Sequence, residues 1–167
     1  MNDQADWEQA VAGAVSWYSS LPEQTAAQLN NLIDTIRQLK QNLVELTTRA
    51  GSAQICCSCG GECCRFGKYH VSVLDILAYL KNGVPLVIPD FSAHPACPYS
   101  NETGCTMPAG YRPMTCVVFN CQPVEDRLSP DELASMRRFE EKLRAAIADA
   151  SRITRSALGR AALLSNR

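Results

Sequence analysis

Five cysteines fall within nine positions of the stretch ICCSCGGECC, at Cys56, Cys57, Cys59, Cys63 and Cys64. Four more follow at Cys97, Cys105, Cys116 and Cys121. Cys56 and Cys59 form a Cys-x-x-Cys pair, a spacing that lets two thiolates reach one ion from a tight turn. The glycine behind the pair frees the backbone to curl around that ion. Thiolates are soft ligands that favour zinc, copper(I) or iron–sulfur clusters over magnesium or calcium. Two other uses of cysteine compete with this one. Burial as small apolar side chains fits poorly with Ser58, Gly60, Gly61, Glu62 and Arg65 as neighbours. A thioredoxin-like redox pair belongs where a strand opens into a helix, and the Cys63-Cys64 doublet breaks that pattern. Adjacent cysteines also point in different directions, so Cys63 and Cys64 serve one centre unequally or belong to two.

Compartment bears on the same question. The start, MNDQADWEQA, has neither the basic region nor the apolar run of a secretory signal. The expected location is therefore cytoplasmic, where thiols stay reduced and cysteine clusters read as metal ligands or reactive groups before disulfides. The apolar runs, such as VSVLDIL, are too short to cross a bilayer, so no membrane partner is expected. A net charge of −1 argues against a globally basic nucleic-acid binder.

The elements that must position these cysteines divide into three zones. All nine cysteines, seven of nine glycines and seven of nine prolines lie between residues 51 and 128. The flanks are rich in Ala, Leu, Gln, Glu and Arg. Residues 1–50 read as an N-terminal helical hairpin. Trp7, Ala10, Val11, Ala14, Trp17 and Tyr18 give an amphipathic helix over 4–19. Ser20 and Glu23 have capping-box form, and Leu29, Leu32, Ile36, Leu39, Leu43 and Leu46 follow as an a/d seam ending near Gly51. That seam suits a coiled-coil dimer or, the favoured reading for so short a repeat, packing within the chain. Residues 129–167 read as one long helix, with Ser129 as N-cap, Pro130 in the first turn and Asp131 and Glu132 complementing the dipole. Its apolar face is expected to continue through Leu158, Ala161 and Leu164. Net charge is −3 in the first zone and +3 in the last, so the arms attract.

Residues 51–128 read as a metal-binding, loop-rich region with one short buried helix. That helix is SVLDILAYLKNG, capped by Ser72 and Asp75 and stopped by Gly83. VPLVIPDF suggests an edge segment. No element is expected over 92–128, and an irregular stretch of that length needs more than a hydrophobic core to hold it. The fold class is thus mainly α, with helical arms flanking a metal-organised cysteine cluster.

Cys56-x-x-Cys59-Gly60, Cys63-Cys64, Cys97-Pro98-Tyr99, Gly104-Cys105 and Arg112-Pro113-x-x-Cys116 through Cys121 together resemble the CxxCxxCC family of zinc- or iron-chelating, YkgJ-like cysteine-cluster proteins. The resemblance spans residues 55–122. It implies a metal or iron–sulfur centre held by eight cysteines, which map to Cys56, Cys59, Cys63, Cys64, Cys97, Cys105, Cys116 and Cys121. Cys57 is then the extra one. Here three residues separate Cys59 from the doublet where the family motif has two, which leaves both Cys56 and Cys57 open as first ligand. Flagellin lysine-N-methylases carry a related cluster, but no glycine-rich signature for a nucleotide-type methyl donor stands in this chain.

Eight thiolates saturate two four-cysteine zinc sites, or one four-thiolate iron–sulfur cluster with four left over. Arg65, Lys68 and Arg112 stand near enough in sequence to offset thiolate charge. His94 and, less so, His70 are candidate additional ligands, since imidazole suits zinc and iron alike. Glu62, Asp75 and Asp90 show no acid–base pairing, and no Ser-His-Asp order, P-loop or metalloprotease helix occurs. The expected function is chelation of zinc or iron (as ions or an iron–sulfur cluster) by a structural module. Its helical arms would meet a protein partner or a second copy. The alternatives are an iron–sulfur oxidoreductase and a metal-dependent, methylase-like modifying enzyme; no catalytic residue can be named.

Overall fold

In the computed structural model, which describes residues 2–93 and 97–164, the polar start of the chain folds at once into α1, Asp3–Ser19. Asn2 caps it, its side chain accepting from the Ala5 N–H at 3.3 Å, and Asp3 and Asp6 complement the first turn. Helix α2 follows at Glu23–Arg49. The expected Ser20–Glu23 capping box does not form. Ser20 Oγ instead donates back to the Trp17 carbonyl at 2.7 Å, and Pro22 precedes α2 without a side-chain cap. A serine at a helix C-terminus has free carbonyls of that helix within reach, and here they win.

Five further helices occur among the described residues. Helix α3, Ser52–Ser58, carries the first cysteines. Helix α4, Val73–Asn82, is the expected short buried helix. Its capping box joins Ser72 and Asp75, and Gly83 ends it in the left-handed region at φ 61°. A two-residue hairpin then pairs β1, Ser100–Asn101, with β2, Gly104–Cys105. Helices α5, Met114–Val118, and α6, Gln122–Glu125, are short. Helix α7, Pro130–Thr154, opens on a full Ser129–Glu132 capping box. The stretch 97–128 is therefore more ordered than its sequence suggests, whereas VPLVIPDF forms no strand.

Packing follows from the apolar stripes. Leu29, Ile33, Ile36, Leu39, Leu43 and Leu46 of α2 are buried, with Ile33 taking the place expected of half-buried Leu32. They meet Met136, Leu143, Ala146 and Ala150 of α7, so the heptad-like seam is covered within the chain. Leu29, Leu43 and Leu143 are completely shielded, and each contributes about 1.5–3 kcal/mol of burial. Helix α1 lays Trp7, Ala10 and Ala14 toward α4 and the C-terminal turn 162–164.

Helix α7 stops at Thr154 rather than running to the chain end. Arg155 takes a left-handed conformation, φ 51°, and the chain doubles back. Ala162 N–H then donates to the Val71 carbonyl at 2.7 Å, and Leu74 N–H to the Leu158 carbonyl at 3.0 Å. Leu158, Ala162 and Leu163 still reach the core. They do so by strapping the start of α4, which leaves their apolar spacing helical in appearance only.

Lys40 of α2 and Asp75 of α4 form an ion pair in the middle of this core, with side chains 2% and 3% exposed. The other Asp75 oxygen accepts from the Ser72 N–H at 2.8 Å and Ser72 Oγ at 2.7 Å. One carboxylate thus caps α4 and fixes it to α2.

Candidate metal centre

Six separate pieces of chain carry the cysteines to one edge of this scaffold. Helix α3 holds Cys56 and Cys57, with Cys59 as its C-cap. Positions 56 and 59 are three apart and share a helix face, while position 57 points away from it. Cys59 Sγ lies 3.5 Å from the Cys56 carbonyl. Gly60 and Gly61 follow at φ 63° and 69°, a double left-handed step that side chains resist. That reversal starts the 3₁₀ turn Glu62–Cys64, which presents the doublet. Cys105 lies on β2 opposite Ser100, and Ser100 holds the Cys97 carbonyl through its N–H at 3.1 Å and Oγ at 2.8 Å. Cys116 belongs to α5, and Cys121 caps the start of α6.

Electrostatic neighbourhood sorts these thiols into two groups. Burial, then the charges of Cys63, Cys59 and Cys121, pushes the Cys56 thiol up, with Arg112 pulling the other way. Burial and then Cys105, Cys97 and Cys64 push Cys116 well up. Cys116 nonetheless keeps exposed surface. Cys97 is raised by burial and by Cys105, against an opposing hydrogen bond from the Tyr99 backbone. The first group is Cys56, Cys59, Cys63 and Cys121; the second is Cys97, Cys105 and Cys116. Cys64 stands between them. Burial first, then Cys63 and Cys97, pushes it up to about 12. Cys57 belongs to neither and is exposed.

The charges expected to offset the thiolates divide unevenly. Arg112 acts on Cys56 and is held by its Nε–H to the Met107 carbonyl at 3.1 Å. Lys68 instead pairs with Asp3 at 2.9 Å, and Arg65 is exposed. His70 Nδ1 lies 3.4 Å from Cys116 Sγ, and burial lowers the imidazole below its ordinary range. His94 lies outside the described residues.

Soft thiolates in two groups are the donor chemistry zinc and iron require. Two buried hydroxyls support that fit. Tyr79 and Tyr99 are 1% and 2% exposed, and their hydroxyls have no hydrogen-bond partner among the described residues. Burial raises both phenols far above the usual range, Tyr79 then by Cys105 and Tyr99 by Cys97. Each is an O–H donor close to the second group that thiolate sulfur would satisfy. Against this, among the described residues no three His, Cys, Asp or Glu side chains surround a common point for an ion. A step between staggered χ1 wells moves a cysteine sulfur by roughly 3 Å.

Sequence reasoning did not single out Tyr79, which reads as a core residue of α4, nor Gly67. A Cβ on Gly67 would lie 2.3 Å from Cys97 Sγ and 3.2 Å from Cys97 Cβ. Cys97 therefore rests directly on the Gly67–Tyr69 turn. Gly67→Ala is expected to displace Cys97 and cost about 1–3 kcal/mol by overpacking. Urea unfolding would measure that loss, and a change below 0.5 kcal/mol (roughly the spread of neutral surface substitutions) would show that the turn yields freely.

No helix among the described residues is long and apolar enough to cross a membrane. Comparison with protein-family models, curated proteins and solved structures gives no match.

Proposed function

We propose that this chain binds zinc or iron through two thiolate centres. One is formed by Cys56, Cys59, Cys63 and Cys121, the other built on Cys97, Cys105 and Cys116, with Cys64 completing the set. The observation that carries this reading is the sorting itself. Seven sulfurs from six pieces of chain fall into two neighbourhoods with Cys64 between them, while Cys57, the extra cysteine of the sequence pattern, is exposed. Burial and neighbouring thiols disfavour ionisation of Cys56, Cys64, Cys97 and Cys116, and a bound cation reverses that penalty. A reducing compartment such as the cytoplasm is what the reading requires.

Saturated thiolate sites carry no chemistry of their own, so the chain acts as a structural module. Its presenting surface is the cysteine edge. The helical arms spend their apolar faces on the chain's own core, whereas Phe66 and Phe119, each two positions from a cysteine, are 71% and 59% exposed. Exposed aromatics of that size suit a protein partner.

Anaerobic purification with quantification of zinc, iron and sulfide, plus a visible spectrum, tests the reading. Two metal equivalents per chain are expected, kept by Cys57→Ser and reduced to one by Cys56→Ser. A colourless zinc protein supports the structural module. Iron with matching sulfide and a brown chromophore would shift the function to an iron–sulfur oxidoreductase. A metal-free chain under both conditions would refute the proposal.

A further inference from the structure

We propose that His70 is a metal ligand, completing a three-cysteine, one-histidine site with Cys97, Cys105 and Cys116. The inference rests on the reading that the cysteines bind metal, and it adds a residue that the cysteine pattern does not contain. Its basis is geometric. Two ligands on one tetrahedral zinc, a sulfur at about 2.3 Å and an imidazole nitrogen at about 2.0 Å, stand roughly 3.5 Å apart. His70 Nδ1 and Cys116 Sγ stand 3.4 Å apart, a separation that matches that tetrahedral edge as well as an N–H to sulfur hydrogen bond.

The position of the ring is fixed by what precedes and follows it. His70 closes the 3₁₀ turn on which Cys97 rests, its N–H donating to the Gly67 carbonyl at 3.1 Å. It then leads into Val71 and the Ser72–Asp75 capping box. The turn that seats one cysteine of the second group therefore also delivers the imidazole to another. A ligating histidine usually hands its second ring N–H to a carboxylate, carbonyl or water. His70 lines a cavity of about 60 Å³ together with Ser72, Asp75 and Thr115, so oxygen acceptors and room for water adjoin the ring.

The count of donors agrees. The second group has three cysteines without Cys64, and a closed structural site needs four ligands. With His70 as the fourth, Cys64 becomes the thiolate between the centres, next to its neighbour Cys63 of the first group.

The test uses the reduced, full-length chain carrying ¹⁵N-labelled histidine and loaded with ¹¹³Cd. A one-bond ¹⁵N–¹¹³Cd coupling at one Nδ1 is expected, retained in His94→Ala and lost in His70→Ala. His70→Ala should also hold the second cadmium about tenfold or more weakly, in line with the loss of a ligand or its immediate support. His70→Cys should restore tight binding without any nitrogen coupling. Two bound cadmium ions with no coupling to His70 would overturn this inference alone and make the ring an N–H donor to Cys116. A wild-type chain that takes up no cadmium would overturn the metal reading and this inference together.

Discussion

If the cysteines hold metal as proposed, stripping it with a strong chelator under reducing conditions will destabilise the protein without abolishing its helical scaffold. A ligand present at a thousand times its Kd stabilises the folded state by about 4 kcal/mol, and each occupied centre contributes on that scale. A zinc-finger peptide unfolds altogether when its metal leaves, because nothing else orders it. This chain differs. The loop-rich region drops Tyr99, Met107, Tyr111, Val117 and Leu128 into the common core, and the Tyr79 and Tyr111 rings pack 4.6 Å apart. Those anchors persist without metal. The cysteine edge has no such hold, since Cys57, Cys59, Cys63, Phe66 and Phe119 all face solvent. Hydrogen exchange should therefore lose protection over 56–66, 102–105 and 119–121, which lie outside the Tyr99 and Val117 anchors, while α2 and α7 keep theirs. Unchanged exchange across all three segments would mean that these loops are ordered by packing alone. Global unfolding would mean that the core is weaker than its burial suggests.

How much of this was legible beforehand depended on the range of the interaction. Ser72–Asp75, Gly83 and the Ser129 N-cap were readable because capping is settled within four residues. The α2 seam was readable as well, being a repeat along one helix; that α7 covers it is a fact about residues about a hundred positions away. Ser20 shows the limit of a local motif. It matched the capping template, but a carbonyl of the preceding helix competed for its hydroxyl and won. Leu158, Ala161 and Leu164 show another limit. Their spacing continued the helical pattern, yet a backbone reversal at Arg155 and hydrogen bonds to the α4 entry bury Leu158, Ala162 and Leu163 instead and leave Ala161 and Leu164 half-buried.

The candidate site divides in the same way. The residue types and the Cys-x-x-Cys spacing announced thiolate chemistry. The grouping did not follow from them, because it sets Cys121 beside Cys56 across sixty-five positions of chain. Between Cys56 and Cys57 the sequence left a choice that helix geometry narrows: on α3 only Cys56 shares a face with Cys59. A short helix across ICCS was the missing premise, and glycines on both sides had suggested a loop. Tyr79 carried no sequence signal at all, since an aromatic on an apolar helix reads as core until its hydroxyl is found unpartnered.

Lys40→Met will be the most damaging substitution outside the cysteine edge, lowering stability by about 3–5 kcal/mol in urea unfolding. The cost does not measure the attraction between Lys40 and Asp75. It arises because Asp75 is left as a bare carboxylate in a core where its side chain is 3% exposed, with the phenols of Tyr79 and Tyr99 and the Cys116 thiol as its electrostatic neighbours. Asp75 cannot withdraw, since its other oxygen holds the Ser72 N–H and hydroxyl at the start of α4. Two features separate this account from simple loss of packing. Methionine keeps most of the lysine stem, so little volume is lost. A second change, Asp75→Asn, removes the stranded charge while retaining an oxygen to cap α4. Lys40→Met with Asp75→Asn should therefore recover a substantial part of the deficit, a coupling that a double-mutant cycle reads directly. Additive losses would show that the two side chains act independently. A Lys40→Met variant within about 0.5 kcal/mol of wild type would show that water reaches the pair, and the tie between α2 and the α4 entry beside the second cysteine group would then lie elsewhere.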